Sequence, residues 1–207
     1  MKKNFLSRFF TSILLGPLII FSLVYLDKYS FYTLLLIIFG TSLYEIFKIK
    51  KKIIKFLIFF LLILFTYCCI RIYSLDNGKL IIIYLLILTW LSDIGGYVFG
   101  KLIGGKKINF ISPNKTFAGF LGSLLFVQVA GYYLKFLNLA FLNETFLNIY
   151  FLLICTFVVI SGDLLFSFFK RKCLIKDFSN FLPGHGGLLD RIDGLILLII
   201  FIYIFKL

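Results

Sequence analysis

Asp190 and Asp193 stand three residues apart. On a helix such a pair shares one face and could bind a single cation. Asp163 could complete the set, and carboxylates with phosphate oxygens and water are the usual way Mg²⁺ is held where phosphoryl groups are transferred. The alternative for these aspartates is ion pairing with Arg191 or Lys170. Between them lies Pro183-Gly184-His185-Gly186-Gly187. Its flexible backbone N–H groups can approach an anion, helped by the positive end of the helix that follows. Lys170-Arg171 and Lys176-Asp177 precede this run and Asp190-Arg191-Ile192-Asp193 follows it, so a phosphate cradle, a basic clamp and a cation site fall within 24 residues. His185 by itself reads equally as a turn or capping residue and as a catalyst.

The elements that must position these groups follow from composition. Of 207 residues, 61% are apolar, 20% aromatic and 15% charged, with a mean hydropathy of +1.06. Ordinary soluble domains carry roughly 45–50% apolar and about 25% charged residues, and a fold this small could not hide the excess from water. An all-α polytopic membrane protein is expected. Apolar stretches recur at 9–26, 31–47, 53–70, 80–99, 116–134, 146–166 and 188–205, near the roughly 20 residues a helix needs to cross a bilayer. They are continuously apolar without period-two alternation, which argues against a barrel. The expectation is therefore about seven transmembrane helices in one integral bundle, with helices one to three in 1–79 and a catalytic region in 80–207. The longest connection, 167–187, is too short to bury a core of its own.

Charge placement supports that map. Seventeen of the 22 Lys and Arg residues fall on one side of the seven spans and five on the other, which puts the N-terminus in the cytoplasm and the C-terminus outside. The net charge of +13 is thus a topology signal, and no nucleic-acid partner is expected. The run from Phe9 to Leu26 ends without a small-residue cleavage pattern and reads as an uncleaved helix. Cys68, Cys69, Cys155 and Cys173 suggest neither a disulfide framework nor a zinc site. Asp27, Asp76 and Glu144 fall in external loops and read as solvated. Asp93, Asp163, Asp190 and Asp193 instead converge from three helices at the cytoplasmic ends, where burying charge without a partner costs several kcal/mol.

The run Ser167-Phe168-Phe169-Lys170-Arg171, then Lys176-Asp177, Leu182-Pro183-Gly184-His185-Gly186-Gly187 and Asp190-Arg191-Ile192-Asp193 closely resembles the signature of the phosphatidate cytidylyltransferase (CDP-diacylglycerol synthase) family. Ser92-Asp93-Ile94-Gly95-Gly96-Tyr97, Ser112-Pro113-Asn114-Lys115-Thr116 and Ser161-Gly162-Asp163-Leu164 resemble its upstream motifs. The resemblance covers about residues 80–207. Ala118 and Phe166 stand where the family often has acidic residues.

The resemblance implies transfer of the cytidylyl group of CTP to phosphatidic acid, giving CDP-diacylglycerol and pyrophosphate with Mg²⁺ and room for a second cation. It implies that Asp163, Asp190 and Asp193 hold the metal and that Lys170, Arg171 and Arg191 clamp phosphates. Gly186 and Gly187 would offer backbone donors, Lys176 and Asp177 would order the loop or touch nucleotide, and Ser112, Asn114, Lys115 and Thr116 would bind a phosphate or the lipid headgroup. Ser167 and His185 join the substrate contacts, and Asp93 is either a further ligand or an ion-pair partner. Gly95, Gly96, Gly119 and Gly122 could let helices pack closely near the site. The expected setting is a bacterial-type inner (plasma) membrane with the active site facing the cytoplasm. Expected partners are CTP, phosphatidic acid and the bilayer, with a homodimer left open. A CTP-dependent lipid-alcohol kinase and a transporter of an anionic solute are the alternatives. A transporter's sites should lie near the bilayer midplane between repeats, whereas these cluster at one end and no repeat is visible.

Overall fold

The structure, a computed structural model, describes residues 21, 23, 25, 27–107, 115–136, 148–179 and 186–206. Six α-helices follow one another: α1 Lys28–Phe47, α2 Lys52–Tyr73, α3 Gly78–Leu102, α4 Phe117–Phe136, α5 Ile149–Lys172 and α6 Leu189–Lys206. Among the described residues there is no strand, only an isolated bridge between Lys107 and Thr116. Every expected span from 31–47 onward is a helix, while 9–26 lies almost wholly outside the described residues. Six of the seven expected spans thus coincide with described helices, of which α1, α2, α3 and α5 are long and apolar enough to cross a membrane. Helix α5 runs six residues past the expected end at 166. Lys170, Arg171 and Lys172 occupy its last turn, where cations favour the negative end of the helix dipole.

Helix α6 packs against α2, α3 and α5. The α2 residues buried toward the core, Ile54, Ile58, Leu62, Phe65, Cys69 and Ile72, keep the 3.6-residue period of one helix face. On α6, Ile196, Leu198, Ile199 and Ile202 are also buried. The outer surface is apolar too. Ile53, Phe56, Leu121 and Val129 are exposed, a pattern suited to lipid and costly in water. Cys68, Cys69, Cys155 and Cys173 are all free thiols.

Alternation of the helices brings the C-terminal ends of α1, α3 and α5 beside the N-terminal ends of α2, α4 and α6. That end carries Lys48, Lys50, Lys51, Lys52, Lys101, Lys106, Lys107 and Lys115, as well as the last turn of α5. It is also the end at which all the long-range polar contacts described below are made.

Two close crossings fix the geometry there. Helices α3 and α4 form the most extensive pairing because their glycines let backbone meet backbone. A Cβ at Gly95 would lie 2.5 Å from the Gly122 carbonyl oxygen, and one at Gly119 would lie 2.7 Å from that of Gly96. Ser123 Oγ donates to the Ser92 carbonyl oxygen at 2.7 Å across the same seam. Helices α5 and α6 cross as tightly, since a Cβ at Gly162 would lie 2.9 Å from both the Asp193 carbonyl oxygen and Gly194 Cα.

Gly95→Ala should therefore destabilise the protein by about 1–3 kcal/mol through overpacking. Gly40→Ala, in α1 with nothing within 4 Å of the added carbon, should be neutral or stabilising by up to about 1 kcal/mol. Melting temperatures of the two variants in detergent should move apart. Equal shifts would mean that the α3/α4 approach does not limit packing.

Candidate active site

The α5/α6 crossing sets Asp163 beside Asp193, because each adjoins the glycine at which the backbones touch. Helix α3 contributes Asp93 and Ser92, and Lys115 comes from just before α4. Thr116 starts that helix, its Oγ1 accepting the Gly119 N–H at 3.0 Å as an N-cap. Together these residues line a cavity of about 410 Å³. Of the residues expected at the site, Asp93, Lys115, Thr116, Asp163, Lys170, Asp177, Asp190, Arg191 and Asp193 line it. Arg171 and Lys176 are exposed and do not. Ser112, Asn114 and His185 lie outside the described residues.

Two ion pairs hold the lysines. Lys115 pairs with Asp163, with about a quarter to a third of each side chain exposed. Lys170 Nζ donates to Asp190 Oδ1 at 2.7 Å, with the Asp190 side chain only 4% exposed. Ser167 Oγ lies 3.4 Å from Asp163 Oδ1, a weak donor contact. Asp193 is buried, and its Oδ1 accepts the N–H of Gly194 at 2.8 Å. Asp163 repels both Asp93 and Asp193.

Asp190 does more than pair with Lys170. Its Oδ2 accepts the N–H of Phe178 at 3.0 Å and that of Gly187 at 2.9 Å, so one oxygen holds Lys170 and the other the loop. Gly186 sits at φ +84°, in the left-handed region that glycine enters without strain. The N–H of Gly187, expected to meet a substrate anion, thus meets a carboxylate of the protein itself. Phe166 is wholly buried, with edge contacts to Phe169 and Phe178 at ring-centroid distances of 5.9 and 6.1 Å. An apolar residue there anchors the segment whose N–H groups reach Asp190. Ala118 is half-buried in the first turn of α4 and does not line the cavity.

One residue was not legible in the local sequence. Glu45, near the end of α1, is 1% exposed and accepts hydrogen bonds from Ser179 Oγ at 2.6 Å, Leu188 N at 2.7 Å and Leu189 N at 2.9 Å. The signal that could have found it is a carboxylate within the last turn of an apolar, membrane-length helix, which must be partnered.

Among the described residues no group of three or more His, Cys, Asp or Glu side chains is gathered closely enough to hold a metal as it stands. Asp163, Asp190 and Asp193 do not converge, because Asp190 is turned to Lys170 and the loop. The donor chemistry nonetheless fits a hard cation. Five carboxylates face three basic groups around the cavity, and Ser92 Oγ is buried there without a hydrogen-bond partner. Asp93, Asp163 and Asp193 carry mutual repulsion that a cation would relieve.

Fold and site together define a protein that is all-helical among the described residues, with membrane-length helices and, at one end, a cavity lined by five carboxylates and three basic groups. Residues 48–207 match the model of the cytidylyltransferase family, and the chain belongs to that family. It is 38% identical over 128 residues to a phosphatidate cytidylyltransferase of Staphylococcus haemolyticus, covering 58% of this chain and 46% of the relative. One from Helicobacter pylori is 38% identical over 121 residues, covering 58% and 45%. The chain thus spans about half the length of these two relatives. A third, from Rickettsia bellii, is 33% identical over 205 residues, covering 95% of this chain and 88% of the relative.

Asp190→Asn should destabilise the protein more than Asp163→Asn. The first strands a buried ammonium and weakens two backbone hydrogen bonds, a loss of about 3–5 kcal/mol for a buried pair broken on one side. The second breaks a pair that water partly screens, worth about 1 kcal/mol or less. Thermal unfolding in detergent gives the order. The reverse order would mean that Asp190 does not hold the loop.

Proposed function

We propose that this chain transfers the cytidylyl group of CTP to phosphatidic acid, releasing pyrophosphate and forming CDP-diacylglycerol. The observation that carries the reading is the cavity itself, which presents Lys115, Lys170 and Arg191 alongside Asp93, Asp163 and Asp193 at one end of an apolar bundle. Family membership and the names of the relatives support it. The reading places this end at the cytoplasmic face of a bacterial-type inner membrane, with the N-terminus inside and the C-terminus outside, because the lysine-rich connections gather there. Phosphatidate then keeps its acyl chains in the bilayer while CTP arrives from the cytoplasm. A homodimer is compatible with the reading and supplies none of the residues it uses.

The phosphate monoester of the lipid, with a second pKa near about 6, is largely dianionic at neutral pH, so its attack on the α-phosphorus needs no general base. One of its oxygens forms the new P–O bond as the bond from the α-phosphorus to the α–β bridging oxygen breaks, and pyrophosphate leaves with that oxygen. Alignment and charge neutralisation are what the protein must supply. Lys170, aimed by Asp190, and Arg191 bind phosphate oxygens. Lys115, in the more exposed pair, turns from Asp163 to a phosphate and leaves that carboxylate free. The unpartnered hydroxyl of Ser92 donates to a phosphate oxygen. Mg²⁺, held by Asp163 and Asp193 with Asp93 beside them, would neutralise polyphosphate charge and steady the leaving group; a second cation is an open extension. Asp190, expected among the ligands, is assigned to holding Lys170 and the loop.

Purified protein in mixed micelles containing phosphatidate should move label from the α-phosphate of CTP, and none from the γ-phosphate, into lipid. γ-Phosphate label in lipid would instead identify a CTP-dependent kinase. Asp193→Asn should lower kcat/KM at least about 100-fold, in the range seen when a transition-state charge partner is removed.

Chelation of divalent cations should abolish product formation, and Mg²⁺ should restore it. Undiminished turnover in excess chelator would overturn the assignment of Asp163 and Asp193.

A further inference from the structure

Helix α6 begins with backbone N–H groups that have no partner inside the helix, and Gly187, just ahead of it, has no side chain with which to cap them. The cap comes from α1, on the far side of the chain's first turns. Glu45 Oε1 accepts from Leu188 N and Ser179 Oγ, and Oε2 accepts from Leu189 N. A Cβ at Gly187 would lie 2.8 Å from each of these oxygens, so the carboxylate fills the space that a side chain at 187 would need. The glycine is explained by Glu45 more directly than by any ligand. Asp190, in the first turn of the same helix, takes the N–H groups of Gly187 and Phe178. Two internal carboxylates thus account for three successive backbone donors, Gly187 to Leu189, and for that of Phe178.

We infer that Glu45 is a positioning residue of the active site: it sets the start of α6, and through it the aim of Asp190, Arg191 and Asp193, without touching substrate. This rests on the cytidylyl-transfer reading for its effect on rate, though not for its geometry. Glu45 precedes residue 48, where the family match begins, so the inference makes α1 part of the catalytic unit. It also means that the anion-binding end of α6 is already filled by the protein, and that substrate phosphates are met by side chains around the cavity.

The test uses the full chain in detergent with Glu45→Gln, Glu45→Asp, Glu45→Ala, Gly187→Ala and the double variant Glu45→Ala/Gly187→Ala. A glutamine offers one acceptor oxygen and turns an NH₂ toward a donor. Glu45→Gln should therefore lower kcat at least tenfold while the KM for CTP moves less than threefold, and Glu45→Asp should recover part of the loss. Gly187→Ala should lower kcat at least tenfold with Glu45 present and less than threefold in the Glu45→Ala background. Hydrogen exchange at Leu188 and Leu189 should accelerate at least tenfold in Glu45→Gln, with the apolar half of α6 unchanged. Wild-type kcat in Glu45→Gln, or equal losses from Gly187→Ala in both backgrounds, would overturn the inference. So would a KM effect without a kcat effect. If Glu45→Gln does not fold, the Gly187→Ala comparison decides. If the wild type makes no CDP-lipid, the reaction reading fails; the exchange measurement then upholds or overturns the positioning geometry separately.

Discussion

The first turn of α6 starts inside the protein, and its backbone donors must find acceptors there, because an orphaned buried N–H group costs about 1–3 kcal/mol. Water cannot serve freely at the end of an apolar bundle, so carboxylates do. Asp190 answers from within the helix and Glu45 from α1. Once those bonds are made, much else follows. The loop must enter through a left-handed Gly186, Gly187 must lack a side chain, and Lys170 is drawn onto the remaining oxygen of Asp190. Phe166, Phe169 and Phe178 close the apolar side of the same knot. This end of the bundle is tied together by its own charges, which satisfy its own backbone.

These bonds at the loop would be of little use without control of spacing between helices. In a bilayer the hydrophobic effect does not drive helices together, and close packing of small residues takes its place. Gly162 and Gly194 bring α5 and α6 into backbone contact one residue from Asp163 and Asp193. Gly95, Gly96, Gly119 and Gly122 do the same for α3 and α4, two or three residues from Asp93 and one or two turns from Lys115. In α3, α5 and α6 the glycines at the crossings lie within three residues of Asp93, Asp163 and Asp193, so the stretches that permit close approach also gather charge. This explains how repelling carboxylates come to stand near one another: backbone packing forces them together.

The helices were legible because each apolar run is long enough to be unambiguous, and the carboxylates at their ends were legible because ionisable groups in such runs demand a reason. Close packing at the four glycines of α3 and α4 was readable for the same cause. What spacing could not convey was the division of labour. Asp190 and Asp193 share a helix and differ by one turn, yet Asp190 turns back to the loop while Asp193 faces the cavity; an interval of three fits both a shared ligand and a helix cap. Glu45 was invisible since its partners lie 134 to 144 residues away, and beside the lysines at 48–55 it reads as one more charge at a helix end. The N–H of Gly187, expected to meet a substrate anion, is taken by Asp190 only three residues on, a local bond that the glycine run by itself does not announce. Ala118 and Phe166 read as lost acids; the surroundings of Phe166 make it an apolar anchor.

The basic excess then serves two purposes at two distances. Lysines around the cavity end act as a diffuse field, attractive to polyanions within roughly a Debye length of about 8 Å at physiological salt. Inside, the balance reverses, with carboxylates outnumbering basic groups. On the cytidylyl-transfer reading, a bare polyphosphate drawn to the rim would meet repulsion at the centre, and one that carries a cation would find both of its charges answered. Since Lys115 and Lys170 rest on Asp163 and Asp190, the empty cavity avoids the full repulsion of its acids. The two pairs differ in burial, the Lys115 pair being the more exposed and the Lys170 pair the more buried, so on that reading the first would yield to a phosphate while the second held the loop.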